Sequence, residues 1–155
     1  MTTGFRLGGG EPEYLEVRIH ARSRPAATDY WDANWLEAEV EIVAGPWRGA
    51  YRAALRADEF GDFRRQLDHL YDEIDAPPAR FEAMEPWLRF EVKRSDRAGH
   101  VEVRGKAQRE PFFEAHNVLF FALDLDQTYL PPAIQGLRNI EMAYPVIGSP
   151  DDPDG

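Results

Sequence analysis

The sequence predicts an α+β fold: a largely antiparallel β-sheet of about six or seven strands, with two amphipathic helices packed on one face. Three observations lead there. Apolar and polar residues alternate over short runs along most of the chain, the period of half-buried strands. The stretch Asp58–Ile74 breaks that period: Phe60, Phe63, Leu67, Leu70 and Ile74 recur at helical spacing and fall on one stripe. The order strands-then-helix then occurs a second time. A one-sided helix needs an apolar surface to lie on, and in a strand-rich chain that surface is a sheet.

A length of 155 residues fits one domain. Residues 1–12, with four glycines, read as a flexible lead; 13–147 as the α+β domain; 148–155, GSPDDPDG, as a disordered acidic tail. Gly8-Gly9-Gly10 lacks the lysine and hydroxyl of a phosphate loop.

In Glu13–Arg22, Leu15, Val17, Ile19 and Ala21 share one face of a strand. Ser23–Asn34 reads as a loop. Trp35–Ala44 and Trp47–Leu55 form a hairpin around Gly45-Pro46. Leu36, Ala38, Val40 and Ile42 point inward before the turn; Trp47, Tyr51, Ala53 and Leu55 do so after it, with Arg48, Arg52 and Arg56 outward. Two registers keep both faces intact: one opposes Glu39 to Arg52 and Val40 to Tyr51, the other Glu41 to Arg48. Glu37, Glu39 and Glu41 thus form an outward acidic row, either a docking strip or the cross-strand partners of the arginines.

The Asp58–Ile74 helix takes Asp58 as its cap and stops before Pro77-Pro78. Phe81–Met84 reads as a short edge strand. Pro86–Arg94 and Val101–Ala107 form a second hairpin, in the register that opposes Glu91 to Arg104 and Lys93 to Glu102. Asn117–Asp126 is the most apolar strand and is placed centrally. A second helix follows, capped by Thr128, with Pro131 and Pro132 in its first turn and Leu130, Ile134, Leu137 and Met142 on its apolar side.

The formal charge of −10 argues against nucleic acid as a direct partner and suits a basic one. Without cysteine there are no disulfides or thiolate metal sites. No apolar run approaches the ~20 residues of a membrane helix. The first residues carry neither a basic start nor an apolar core of a secretory signal, so the expectation is a cytoplasmic protein with no membrane association.

Candidate chemistry is thin. Asp124-Leu125-Asp126-Gln127-Thr128 resembles the first motif of haloacid-dehalogenase-type phosphatases, in which two carboxylates on one strand face could hold Mg²⁺. That fold also needs a later lysine and further parallel strands, and no lysine follows Thr128. Asp126 and Thr128 are better read as corner caps. His20, His69, His100 and His116 are scattered without ligand spacing, and Ser23, Ser95 and Ser149 lie in no nucleophile motif. The expectation is a non-enzyme without cofactor or metal. The run Tyr30-Trp31-Asp32 is different. It crowds aromatics and an acid into a loop entering a strand, a composition suited to a protein-binding hot spot.

That loop, Tyr30-Trp31-Asp32-Ala33-Asn34-Trp35-Leu36, resembles the strand entry "YDxNWL" of the WapI family of bacterial immunity proteins. Glu82-Ala83-Met84-Glu85-Pro86-Trp87-Leu88-Arg89-Phe90 is similar to that family's "F-x-x-x-E-P-x-L-x-F" stretch, and the amphipathic close Leu130–Tyr144, followed by Pro145, fits as well. The resemblance spans about Tyr14 to Pro145. It implies a cytoplasmic protein that neutralises the toxic domain of a contact-dependent or polymorphic toxin, a nuclease in the founding case, by steric and electrostatic occlusion. It assigns no contact residues. From their chemistry, Tyr30, Trp31, Asp32, Glu37, Glu39 and Glu41 are the candidates to meet a basic toxin domain, with the chain a monomer or homodimer. Two other readings stand: an accessory or structural module acting through self-association, and a metal-dependent hydrolase using Asp124 and Asp126.

Overall fold

The computed structural model describes residues 2–10, 12–112 and 117–152. Eight strands form two four-stranded antiparallel sheets, each a simple meander. The first holds β1 (Thr3–Gly10), β2 (Glu13–Arg22), β3 (Trp35–Ala44) and β4 (Trp47–Arg56), in that order. A four-residue helix α1 (Tyr30–Ala33) leads into β3, and α2 (Ala57–Asp72) follows β4. The second sheet holds β5 (Ala79–Glu82), β6 (Leu88–Arg94), β7 (His100–Gln108) and β8 (Val118–Asp126). A 3-10 turn at Gln127–Tyr129 then opens α3 (Leu130–Ala143). The strands-then-helix repeat is present, as four strands and a long helix in each half.

The sheets meet over aromatic side chains. Phe5 of β1, Phe60 and Phe63 of α2, Phe81 of β5 and Phe90 of β6 form one cluster, with Phe81 and Phe90 stacked at 5.3 Å. Each ring brings a large apolar area to a core shared by both sheets and both long helices. Gly136 lets α3 lie close on β1: a Cβ there would stand 2.5 Å from the Gly4 carbonyl oxygen.

Of the two registers left open for the first hairpin, the one with Glu39 opposite Arg52 is present, and the register chosen by charge for the second is present too, with Glu91 opposite Arg104 and Lys93 opposite Glu102. Several expectations are corrected. Residues 3–10 form a paired strand where a flexible lead was expected; only Phe5 and Leu7 supply the apolar alternation, among glycines. At the other end a Ser149–Asp152 bridge closes residues 148–152 into a turn, and residues 153–155 lie outside the described set. The sheet is split in two, and the apolar β8 lies at an edge. It escapes the core on one face because its even-numbered side chains point out, leaving Phe120 74% exposed. Helix α2 ends two residues before Ile74, which is therefore exposed, and Trp47 lies outside at the hairpin turn. Met142 is also exposed.

Candidate functional site

The Tyr30–Trp35 stretch is built around a buried arginine. Arg56, at the junction of β4 and α2, is 1% exposed, although it sits on the outward parity of its strand. Its guanidinium donates to the carbonyl oxygens of Trp31 at 2.9 Å and Tyr30 at 3.0 Å, and its Nε to Asp58 at 3.1 Å. The same cation lies within 4.9–5.5 Å of the ring centres of Tyr30, Trp31 and Trp35. Asp29 caps α1 by accepting from the Asp32 amide.

Asn34, fully buried, closes the other side of the corner. Its Nδ2 donates to the carbonyls of Tyr30 at 2.8 Å and Ile147 at 2.9 Å, and its Oδ1 accepts from the Ile147 amide at 2.9 Å. Arg22 adds donations to the carbonyls of Ala33 and Pro145. The motif thus ties α1, β3, the start of α2 and the chain beyond α3 into one corner. Asp58 lies inside the first turn of α2 and not at its cap. The role of Arg56 is not visible from spacing; its only signal is a position two and three residues before the acids Asp58 and Glu59.

Glu59 anchors the other flank. Its carboxylate accepts from the Arg56 amide at 2.7 Å and from the Met84 amide at 2.5 Å, so it joins α2 to the segment before β6. Burial pushes its carboxyl up to about 7, against the pull of these two donors.

The candidate contact residues separate. Tyr30 is buried in the corner, with its ring against Arg56. Trp31 is 44% exposed, edge-on to Tyr30. Asp32 sits on the surface, paired with Arg24 at 2.9 Å. Glu37, Glu39 and Glu41 lie on the outer face of the first sheet, away from that corner's rim. Glu37 is exposed. Glu39 is held by Arg18 at 2.7 Å and His20 at 3.3 Å, and the Arg18 hydrogen bond keeps its carboxyl below the usual range. Glu41 accepts from the Tyr14 hydroxyl at 2.5 Å. Strand parity interleaves these acids with Arg6, Arg18, Arg48 and Arg52, so this face is laced with both signs.

The acids gather elsewhere. Asp58, Asp62, Asp68 and Asp72 lie along α2, and Glu73 and Asp75 follow it. A groove of about 430 Å³ runs between the N-terminal half of α2 and the segment after α3, lined by Tyr30, Asp58, Asp62, Glu141 and Val146 and by Arg65, which pairs with Asp62. Trp31 follows the lining residue Tyr30 on α1, and the exposed Asp151 and Asp152 follow the lining residue Pro150.

Among the described residues nothing assembles around the enzymatic candidates. Asp124 is exposed on an edge strand, and Asp126 accepts from the Thr128 amide at 2.9 Å, which makes it the cap of the 3-10 turn. His100 pairs with Asp96 at the surface, and that hydrogen bond raises its pKa. His116 lies outside the described residues. Among the described residues no three His, Asp or Glu side chains are grouped to hold a metal ion. No helix among them is long and apolar enough to cross a membrane.

Curated proteins yield no match to this chain. Among solved structures, one titled "Crystal structures of trypanosoma bruciei MRP1/MRP2" is similar at 10% identity, with a TM-score of 0.48 over 92% of this chain and 86% of that one. The family comparison reaches further: the model of the Immunity protein WapI-like family matches residues 6–145, from β1 to the segment that Asn34 and Arg22 tie down, and the chain belongs to that family.

Proposed function

We propose that this protein neutralises a cognate basic toxin domain by binding it at the α1–α2 corner and occluding its working surface. Trp31 carries the reading. It is a large, half-exposed aromatic with a backbone held by Arg56; Asp32 follows it and pairs with Arg24 at the surface, and Asp58 and Asp62 line the neighbouring groove, paired with Arg56 and Arg65. A rigid aromatic anchor inside a rim of charge is how compact interfaces gain both affinity and rapid association. Asp32 belongs to this surface. Glu37 extends the acidic character onto the neighbouring sheet face, while Glu39 and Glu41 are already engaged within the chain. Tyr30 acts from beneath, as the support of Trp31. Membership of an immunity family supports a role in binding a protein toxin. A nuclease is one class that fits, because a surface shaped for a polyanion also attracts a carboxylate cluster. The site of action would be the cytoplasm.

The test is affinity purification of the tagged chain from its native cytoplasm, with identification of what co-purifies, followed by co-expression with the recovered domain. A stoichiometric basic domain, whose toxicity this chain relieves and the double variant Trp31→Ala/Asp62→Lys does not, supports the reading. Recovery of the chain alone while its neighbouring genes are expressed overturns it.

A further inference from the structure

The open edge of β8 differs from the other three sheet edges. Strand β1 is covered by α3, which approaches it closely at Gly136. Strand β5 is four residues long, and its Arg80 amide donates to the Gln66 side chain. Strand β4 carries Arg48 and Arg52. Charge, shortness and covering are the usual means of preventing unwanted strand pairing. On β8, Val118–Ala122 has none of them.

The orientation of its free backbone groups can be read from one bond. The Asp124 amide donates to the Glu13 carboxylate at 3.2 Å, so it points away from β7. In an extended strand the groups of residues two apart point the same way. Val118, Phe120 and Ala122 therefore turn their N–H and C=O groups to the open side. Among the described residues nothing pairs with them there. Their side chains share the outer face, and all three are exposed.

We propose that this edge pairs antiparallel with the same edge of a second copy, about a two-fold axis through Phe120, joining two four-stranded sheets into one of eight. In that register Phe120 opposes Phe120, and Val118 opposes Ala122 of the second copy. All three pairs bring facing N–H and C=O groups together, as an isologous interface requires. Charge favours this occupant. The chain carries −10, so two copies repel across most of their surfaces. This strip holds no acid, and its neighbours on β7 are Arg104, Lys106 and Gln108. The Lys106 Nζ lies 5.7 Å from the Phe120 ring. That basic flank disfavours a basic toxin domain; across the two-fold axis the two flanks stand three strand spacings apart, about 14 Å, beyond the screening length at physiological salt. The pairing stands independently of the toxin reading.

Sedimentation of the full chain across a wide concentration range tests it. The native protein is expected to approach twice the 17.7 kDa of one chain, and Phe120→Lys to stay at one. Ala122→Pro removes an N–H that faces the open side and none that bonds β7, so a folded monomer is expected. Since the chain lacks cysteine, Phe120→Cys gives a direct readout. Residues opposed in a hydrogen-bonded pair have Cα atoms about 5.5 Å apart, within disulfide reach. Mild oxidation should cross-link that variant and leave Met142→Cys, also exposed, as single chains. A native chain that remains single at every concentration overturns the proposal. So does a dimer that survives both Phe120→Lys and Ala122→Pro. If the native chain is single and Phe120→Lys abolishes toxin-domain binding, the edge serves the toxin and the proposal falls.

Discussion

Replacing Arg56 with methionine isolates the contribution of the buried cation. Methionine keeps an apolar stem against the rings of Tyr30, Trp31 and Trp35 but removes every donor. Two charge-assisted hydrogen bonds to carbonyls are lost, each worth roughly 1.5–3 kcal/mol at burial. The Tyr30 carbonyl still accepts from Asn34, and the Trp31 carbonyl lies at the partly exposed end of the site, so neither is fully orphaned. Asp58 is a quarter exposed and can be rehydrated, which limits the penalty for its lost partner. The net expectation is about 2–4 kcal/mol. For a chain of this size, at roughly 2–4 °C per kcal/mol, this lowers Tm by about 4–16 °C. Urea unfolding followed by tryptophan fluorescence measures it, with Arg52→Met as the control; Arg52 is exposed on β4, and its loss should stay within about 0.5 kcal/mol. If Arg56→Met costs no more than Arg52→Met, the corner is not held by this cation and the support claimed for Trp31 fails.

Asn34→Ala removes three buried hydrogen bonds and should destabilise by about 2–4 kcal/mol, while limited proteolysis should cut the chain after α3 faster than in the native protein. Gly136→Ala places a methyl against the β1 backbone and should cost about 1–3 kcal/mol in thermal unfolding; a neutral result would mean that α3 and β1 are not in close contact. Glu59 titrates at about 7 in the folded chain, above the ordinary 4.5 of the unfolded one. The folded state therefore holds the extra proton between these values. Its contribution to stability is complete below pH 4.5, falls as pH rises, and is lost above 7. Glu59→Gln stays neutral and should remove this loss, so the stability of the native chain relative to the variant falls from pH 5 to pH 8; a native chain that gains stability relative to the variant over that range would refute the assignment.

The parts of the fold legible in the sequence were those set by nearest neighbours along the chain. The Trp35–Arg56 hairpin shows both the reach and the limit of such reasoning. Face alternation and a short turn allow two registers, and the one opposing Glu39 to Arg52 is found. Yet Glu39 pairs with Arg18, because β3 has a second neighbour that no hairpin rule sees. Strand β1 was illegible for a similar reason: TGFRLGGG contains little alternation of its own and is a strand only because β2 lies beside it. Periodicity also cannot tell whether the strand after α2 continues the first sheet or begins another. An apolar run like VLFFALDLD reads as central, although one of its faces is in solvent. The corner was legible as a cluster of aromatics but not as a cage for Arg56, which lies more than twenty residues further along the chain.

If the corner binds a toxin domain as proposed, it also indicates where specificity is to be sought. Of the residues that carry the family resemblance in this stretch, Tyr30, Asn34 and Trp35 are spent on internal contacts: a ring on Arg56, three hydrogen bonds to Tyr30 and Ile147, and a second ring on Arg56; Asp32, the acid of the same motif, is at the surface. Changing them loosens the corner before it alters any surface. Trp31, Asp32, Asp62 and Val146 stand around that frame and support little of it, so they can vary at low cost to folding. A scaffold of this kind separates the residues that hold the binding surface from those that form it. On the proposed function, recognition of one toxin domain over another belongs to the second set, and exchanging those four residues is the change expected to redirect binding without unfolding the chain.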